Sequence, residues 1–298
     1  MGTVPPPVPT GAPDPRRSRD ERRSKVLGSF KAEGVRGVFV ATTSTVVFIG
    51  VIVAVVINSP NWLLIKQQFF NAQEFSNTFP YVLRGFVRNI EIFLLLEPLI
   101  LVFGLLLAVM RSLRGPVFFP IRSLAIVYID FFRGIPTILL IYLLGFGVPA
   151  LQIPGLPHAG IFWGGVALLL SYSAYVAEVY RAGIESVHPS QTAAARSLGL
   201  TRAGTLRFVV VPQAVRRVIP PLMNDFISLQ KDTALLSIVG GQFGEAFNHA
   251  QISQQSDFNF TALLGVALCF LVITVPMTRF TDHMLERQRR RRMAGAAL

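Results

Sequence analysis

From residue 38 to residue 279, long uncharged apolar runs alternate with short charged clusters. Residues 38–57 make the first run. As a helix rising about 1.5 Å per residue, a run of that length spans the roughly 30 Å hydrocarbon core of a bilayer. It exceeds the roughly 7–15 apolar residues of a signal peptide and no small-x-small cleavage site follows it, so it reads as a retained helix. Five further spans are predicted at about 87–110, 121–148, 161–180, 219–241 and 259–279. Between the first two spans, residues 58–80 hold Trp62, Phe69 and Phe70, aromatics suited to an interfacial helix in an outer loop. The pattern therefore predicts an all-α, polytopic membrane protein with six transmembrane helices.

Composition agrees. Of 298 residues, 52% are hydrophobic and 15% charged, against about 25% charged in a soluble domain, which leaves too little polar surface for a water-facing globule. The net charge of +12 could suggest nucleic acid, but here the charge sits in clusters between apolar runs, so no nucleic-acid partner is expected. With a cytosolic amino terminus, the inner segments carry 23 of the Lys and Arg residues and the outer segments three (Lys66, Arg84, Arg88). That asymmetry predicts a multi-pass cell-membrane protein with both termini in the cytosol. Residues 1–37 form a separate head. Six prolines fall in its first fifteen positions and a basic run from Arg16 to Lys25 follows, which predicts a disordered segment held near anionic membrane lipid.

Several chemistries are excluded by their missing motifs. The chain has no G-x-x-x-x-G-K-[ST] and no G-x-S-x-G. His158, His188, His249 and His283 lack metal-ligand spacing, and Cys269 is alone, so neither a metal site nor a disulfide framework is expected. The chain reads as a non-enzyme.

The longest inner loop, 186–214, carries the most specific pattern. Pro189 suits a first helical turn, residues 191–198 favour helix, and Gly199 fits the left-handed position past a helix end. Thr201 can cap a second helix, predicted to end at Pro212. Ala193, Ala194 and Ala195 leave a small face that a partner can approach closely. This loop resembles the coupling loop of ATP-binding-cassette (ABC) importer permeases, whose signature is E-A-A, three residues, G, nine residues, I-x-L-P. Ala194, Ala195, Gly199, Val209, Val211 and Pro212 fall at that spacing, while Ala193 replaces the signature Glu. Further stretches are similar to the polar amino acid permeases: Asn89-Ile-Glu91 through Gly104, residues 128–136, Ser173 to Ile184, Pro212-Gln213-Ala214, residues 219–224 and Lys231-Asp232-Thr233-Ala234-Leu235.

The resemblance covers residues 80–290 and implies a five-helix type I permease core preceded by one extra helix at 38–57. It implies a permease without an ATPase site of its own, with ATP and Mg held on a partner ATPase dimer and no cofactor on this chain. A second permease subunit, identical or related, and an extracytoplasmic amino-acid-binding protein complete the implied assembly. The substrate would be a polar amino acid of glutamate or glutamine type, moved by alternating access. Gln191, Thr192, Ala193, Ala194, Ala195, Arg196, Gly199 and Pro212 are the candidate ATPase-coupling residues.

Ionisable residues inside the predicted spans are costly unless they face protein or water. Glu91, Glu97, Asp130, Arg133, Glu178, Asp225, Lys231 and Asp232 are such residues. Asp130 and Arg133, three apart on a helix, are placed to pair, and so are Glu178 and Arg181. On the fifth span Asn224, Ser228 and Lys231 recur at i, i+4, i+7, overlapping Asp225, Ser228 and Asp232 at i, i+3, i+7. A free amino acid carries an ammonium and a carboxylate, so a lining with both signs is suited to it. Asn224, Asp225, Ser228, Lys231, Asp232, Arg133 and Glu178 are therefore candidate substrate-pathway residues; a polar seam with a partner permease is the other reading of this face. Ser171, Tyr172 and Tyr175 read as packing and hydrogen-bond groups, with ligand contact as the other reading. An ion-coupled secondary transporter or channel is the alternative function.

Overall fold

A computed structural model describes residues 37–113, 115–240 and 244–296; the predicted head at 1–37 lies outside them but for Gly37. The chain divides into two units, residues 1–65 and 66–298. In the first, helix α1 (Gly37–Ile57) is long and apolar enough to cross a membrane. Helix α2 (Trp62–Phe69) leads into the second unit, where the Phe260 N–H donates to the Gln68 carbonyl at 2.7 Å and the Phe69 and Phe260 rings stack 4.9 Å apart.

The second unit is all helical among the described residues. Helix α3 (Ala72–Ser112) begins at an Asn71 cap whose side chain accepts from the Gln73 and Glu74 N–H groups. It starts well before the predicted span at 87 and keeps Pro80 and Pro98 within it, as membrane helices packed against neighbours can. Helices α4 (Phe119–Gly134) and α5 (Thr137–Ala150) divide the predicted third span, meeting at 100°. Pro136 explains the break: its ring forces Ile135 into extended backbone (φ −99°, ψ 130°), so the helix cannot run through. Helix α6 (Gly160–Glu185) is the hub, with α3, α4, α5 and α9 packed along it.

After α6 come α7 (Pro189–Ser197), α8 (Arg202–Thr205), a π-turn over Leu206–Val210 and α9 (Val211–Asp232). A 3₁₀ turn leads to the short α10 (Ser237–Gly240), then α11 (Ala246–Asp257) and α12 (Thr261–Ala296). Four helices, α1, the α2–α3 segment, α6 and α12, are long and apolar enough to cross a membrane, and α4–α5 adds a fifth if the bent pair is one span. The predicted span at 219–241 falls mainly on α9. That helix is amphipathic, with Arg216, Arg217, Asp225, Lys231 and Asp232 along it, and does not meet the same apolar criterion.

Two apolar clusters hold this unit together. Around α6, Phe93, Ile100, Ile141, Leu168, Val176 and Leu229 are buried together. Beyond α3, Val82, Phe86, Ala250, Val266 and Cys269 bind α11 and α12 to it. At Gly85 the backbones of α3 and the start of α11 approach closely, since a Cβ there would lie 2.5 Å from the backbone of Glu245 and Ala246. Next to it the fully buried Glu245 caps α11, accepting from the Phe247 N–H at 2.9 Å and the Asn248 N–H at 2.6 Å. Asn89 donates to Glu245 and to Thr233 at 3.4 and 3.3 Å and accepts from the Ala246 N–H. Burial raises the Glu245 carboxyl above the usual range, against the lowering effect of these donors.

Candidate functional site

Two candidate regions lie along α6 and α9. At one end, α6 stops at Glu185 and the chain turns into the loop predicted to couple to an ATPase. The His188 ring accepts from the Ser190 N–H at 3.2 Å, and Pro189 fills the first position of α7, where no intrahelical donor is needed. Ala195 is buried, whereas Gln191, Ala193, Ala194, Arg196 and Gly199 are exposed and Thr192 is half-buried. The exposed alanines leave a small surface on the outer side of the loop.

Gly199 has φ +86°, the left-handed region predicted for it, and lets the Leu200 N–H reach the Ala195 carbonyl at 3.2 Å. Thr201 caps α8 through the Gly204 N–H at 3.1 Å. Pro212 does not end this second helix, contrary to expectation. The π-turn runs directly into α9 and the Val211 N–H bonds to Leu206, five residues back, so Pro212 enters as part of the first turn of α9. Val187, Val210 and Ala214 bury one side of the loop, and the Arg217 guanidinium bonds to the Ser186 carbonyl. The loop is thereby fixed to the end of α6 and the start of α9. Leu198, 85% exposed at its tip, is an apolar side chain that the sequence reading did not single out; its only signal is its place just before Gly199.

The other region lies further along α9, which runs back beside α6. Thr137, Tyr172, Tyr175, Asp225, Ser228 and Asp232 line a cleft of about 250 Å³. The Tyr172 hydroxyl donates to Asp232 at 2.8 Å, and Thr137 and Ser171 hydroxyls bond at 3.0 Å. Asp225 Oδ2 is buried without a hydrogen-bond partner, an arrangement that is costly unless a ligand or water supplies a donor.

The predicted polar face thus divides. Asp225, Ser228 and Asp232 come together in the cleft, while Asn224 and Lys231 are exposed and do not line it. Arg133 does not pair with Asp130 among the described residues; its guanidinium lies 5.6 Å over the ring of Tyr175, a cleft residue. Glu178 lies outside the cleft lining and bonds to Arg111 at 3.0 Å and to Arg181, a cross-helix and an i,i+3 pair. Tyr172 and Ser171 make hydrogen bonds, as read from the sequence, and Tyr172 and Tyr175 also line the cleft. Thr137 carried no sequence signal, because it reaches the cleft only through the α4–α5 bend.

Comparison with known proteins agrees with this architecture. Residues 100–290 match the family described as binding-protein-dependent transport system inner membrane component. A probable glutamine ABC transporter permease of Bacillus subtilis, GlnM, is 37% identical over 186 residues, which cover 62% of this chain and 83% of that protein. A probable amino-acid ABC transporter permease of Sinorhizobium fredii, y4tG, is 34% identical over 70% of this chain and 89% of its own length. Among solved structures, an amino acid ABC transporter crystallised with histidines superposes with a TM-score of 0.62 at 32% identity, covering 70% of this chain and 94% of that one. Permeases of this kind carry no cofactor and no ATPase domain; ATP is bound by a separate subunit, and a binding protein delivers the solute. The chain belongs to the inner membrane components of binding-protein-dependent transport systems: it is a multi-pass permease subunit of an ABC importer.

Proposed function

We propose that this permease imports polar amino acids through the cleft between α6 and α9. The observation that carries the reading is the buried Asp225 oxygen with no partner, facing the same space as the Tyr172–Asp232 pair. A carboxylate pair with a tyrosine at its edge suits the ammonium of an amino acid. Both charged residues lining the cleft are acidic, which favours a neutral or basic side chain over glutamate. The printed names of similar proteins, a glutamine permease and the Bacillus subtilis arginine transport system permease ArtQ, support that class. Removing a charge-assisted hydrogen bond of about 1.5–3 kcal/mol should raise the transport KM about ten- to a hundredfold. Asp225→Asn in the reconstituted transporter should therefore lose affinity for a labelled amino acid while ATP hydrolysis still responds to the loaded binding protein. An unchanged KM would remove Asp225 from the pathway.

The membrane arrangement belongs to the same proposal: six crossings, formed by α1, α3, α4–α5, α6, α9 and α12. α9 crosses despite its charges, because Asp225 and Asp232 face the cleft against α6 instead of lipid. Residues 38–57 are the extra helix, residues 80–290 the permease core, and both termini are cytosolic. A second permease subunit, identical or related, pairs with this one so that each ATPase of a dimer meets one coupling loop. Cysteine introduced at Gln73 should react with an impermeant label from outside the cell, and one at Ala203 only after permeabilisation. The reverse pattern would invert the arrangement.

A further inference from the structure

Three helix ends converge on the coupling-loop side of the molecule: the end of α3, the start of α4 and the end of α6. Between them Arg111, Ser112, Arg122, Ile126, Arg181 and Glu185 line a cleft of about 410 Å³, separate from the one beside α9. Two of its arginines are committed. Arg111 bonds to Glu178 at 3.0 Å, and Arg181 bonds to Glu178 and Glu185, so two guanidiniums balance two carboxylates. Arg122 is the surplus charge. Among the described residues it pairs with no carboxylate, and its guanidinium lies 5.7 Å over the Phe119 ring.

The surroundings indicate what could neutralise it. On the two helices that carry Arg122 and Arg111, Phe119, Leu124 and Val127 of α4 are 58%, 65% and 64% exposed, and Leu106 and Val109 of α3 are also exposed. A cationic cleft between helices whose exposed side chains are largely apolar matches an amphipathic ligand with a phosphate at one end and hydrocarbon at the other. Guanidinium forks fit phosphate oxygens in two-point contact, which an ammonium cannot reproduce.

We propose that this cleft binds the phosphate of an anionic phospholipid from the leaflet on the coupling-loop side. Arg122 forks the phosphate, Arg111 and Arg181 are positioned by Glu178 to face it, and the acyl chains lie along α4. The ligand would brace the end of α6 from which the coupling loop departs. Which leaflet supplies the lipid rests on the orientation proposed above; binding itself does not, so cysteine labelling and lipid binding can fail independently.

The test places the purified importer complex in nanodiscs of phosphatidylcholine alone or mixed equally with phosphatidylglycerol, and counts retained lipid by native mass spectrometry. The wild type should retain phosphatidylglycerol selectively. Arg122→Gln should weaken that retention about fivefold, the effect of one basic residue at an anionic surface. Arg122→Lys, which keeps the charge and loses the fork, should fall between them, and it carries the test if the Gln variant does not fold. Arg287→Gln, exposed near the other end of the sequence, should change nothing. Three results would overturn the proposal. One is equal retention in wild type and Arg122→Gln; another is an equal loss in Arg287→Gln, the mark of diffuse attraction. The third is inorganic phosphate binding in phosphatidylcholine discs that Arg122→Gln abolishes, which would make the ligand a soluble phosphate.

Discussion

Replacing Gly199 with valine should uncouple ATP hydrolysis from transport while leaving the membrane core folded. Gly199 has φ +86° and no atom within 4 Å of a Cβ built on it, so space is available and only backbone conformation is at issue. A β-branched residue held in the left-handed region costs about 1–3 kcal/mol, so the turn would relax and displace α7 from the end of α6. The expected loss is about tenfold or more in binding-protein-stimulated ATPase activity, with unchanged expression and thermal unfolding. Gly199→Asn is the control, because Asn enters the left-handed region more readily, and it should retain most of the coupling. Equal activity in the valine variant would show that the turn is not part of the transmission.

The largest effect on stability is expected at Gly85. A methyl group there would stand 2.5 Å from the Ala246 nitrogen and the Glu245 carbonyl carbon, both backbone atoms that cannot rotate away. Gly85→Ala must push α11 from α3, straining the Asn89–Glu245–Thr233 hydrogen bonds that link α3, α11 and the end of α9. Overpacking of this kind costs about 1–3 kcal/mol, and leaving Glu245 buried with fewer donors adds to it. The detergent-solubilised protein should unfold several degrees lower and be recovered in reduced yield. Recovery and unfolding at wild-type values would mean that α11 tolerates the displacement.

The sequence disclosed features that depend on neighbours in the chain. The shape of the loop at 186–214 was readable because Pro189, Gly199 and Thr201 act locally, through a first turn, a positive φ and a cap. The apolar runs were readable because a bilayer imposes a length on each helix. The cleft beside α9 was only half legible. Helical spacing placed Asp225, Ser228 and Asp232 on one face, but it also admitted Asn224 and Lys231, and only the packing of α6 separates the two sets. Thr137 was hidden because it joins the cleft through a bend set by Pro136, and Arg133 went to Tyr175 instead of Asp130 because the ring lies across the helix boundary. Pro212 misled for a related reason: a proline ends an α-helix, but a π-turn beside it changes which carbonyl the ring must avoid.

That π-turn also sets a phase. Each residue advances an α-helix by about 100°, so the extra residue held within 206–210 rotates everything after it by about that angle relative to the coupling loop. Asp225, Ser228 and Asp232 meet α6 only in the resulting orientation. Deleting one residue from 206–210 would let the helix wind regularly, yet would turn the acidic face of α9 about a quarter-turn off its cleft and leave two carboxylates to find other surroundings. The few residues just before α9 therefore decide, from some distance along the chain, which side chains line the cleft.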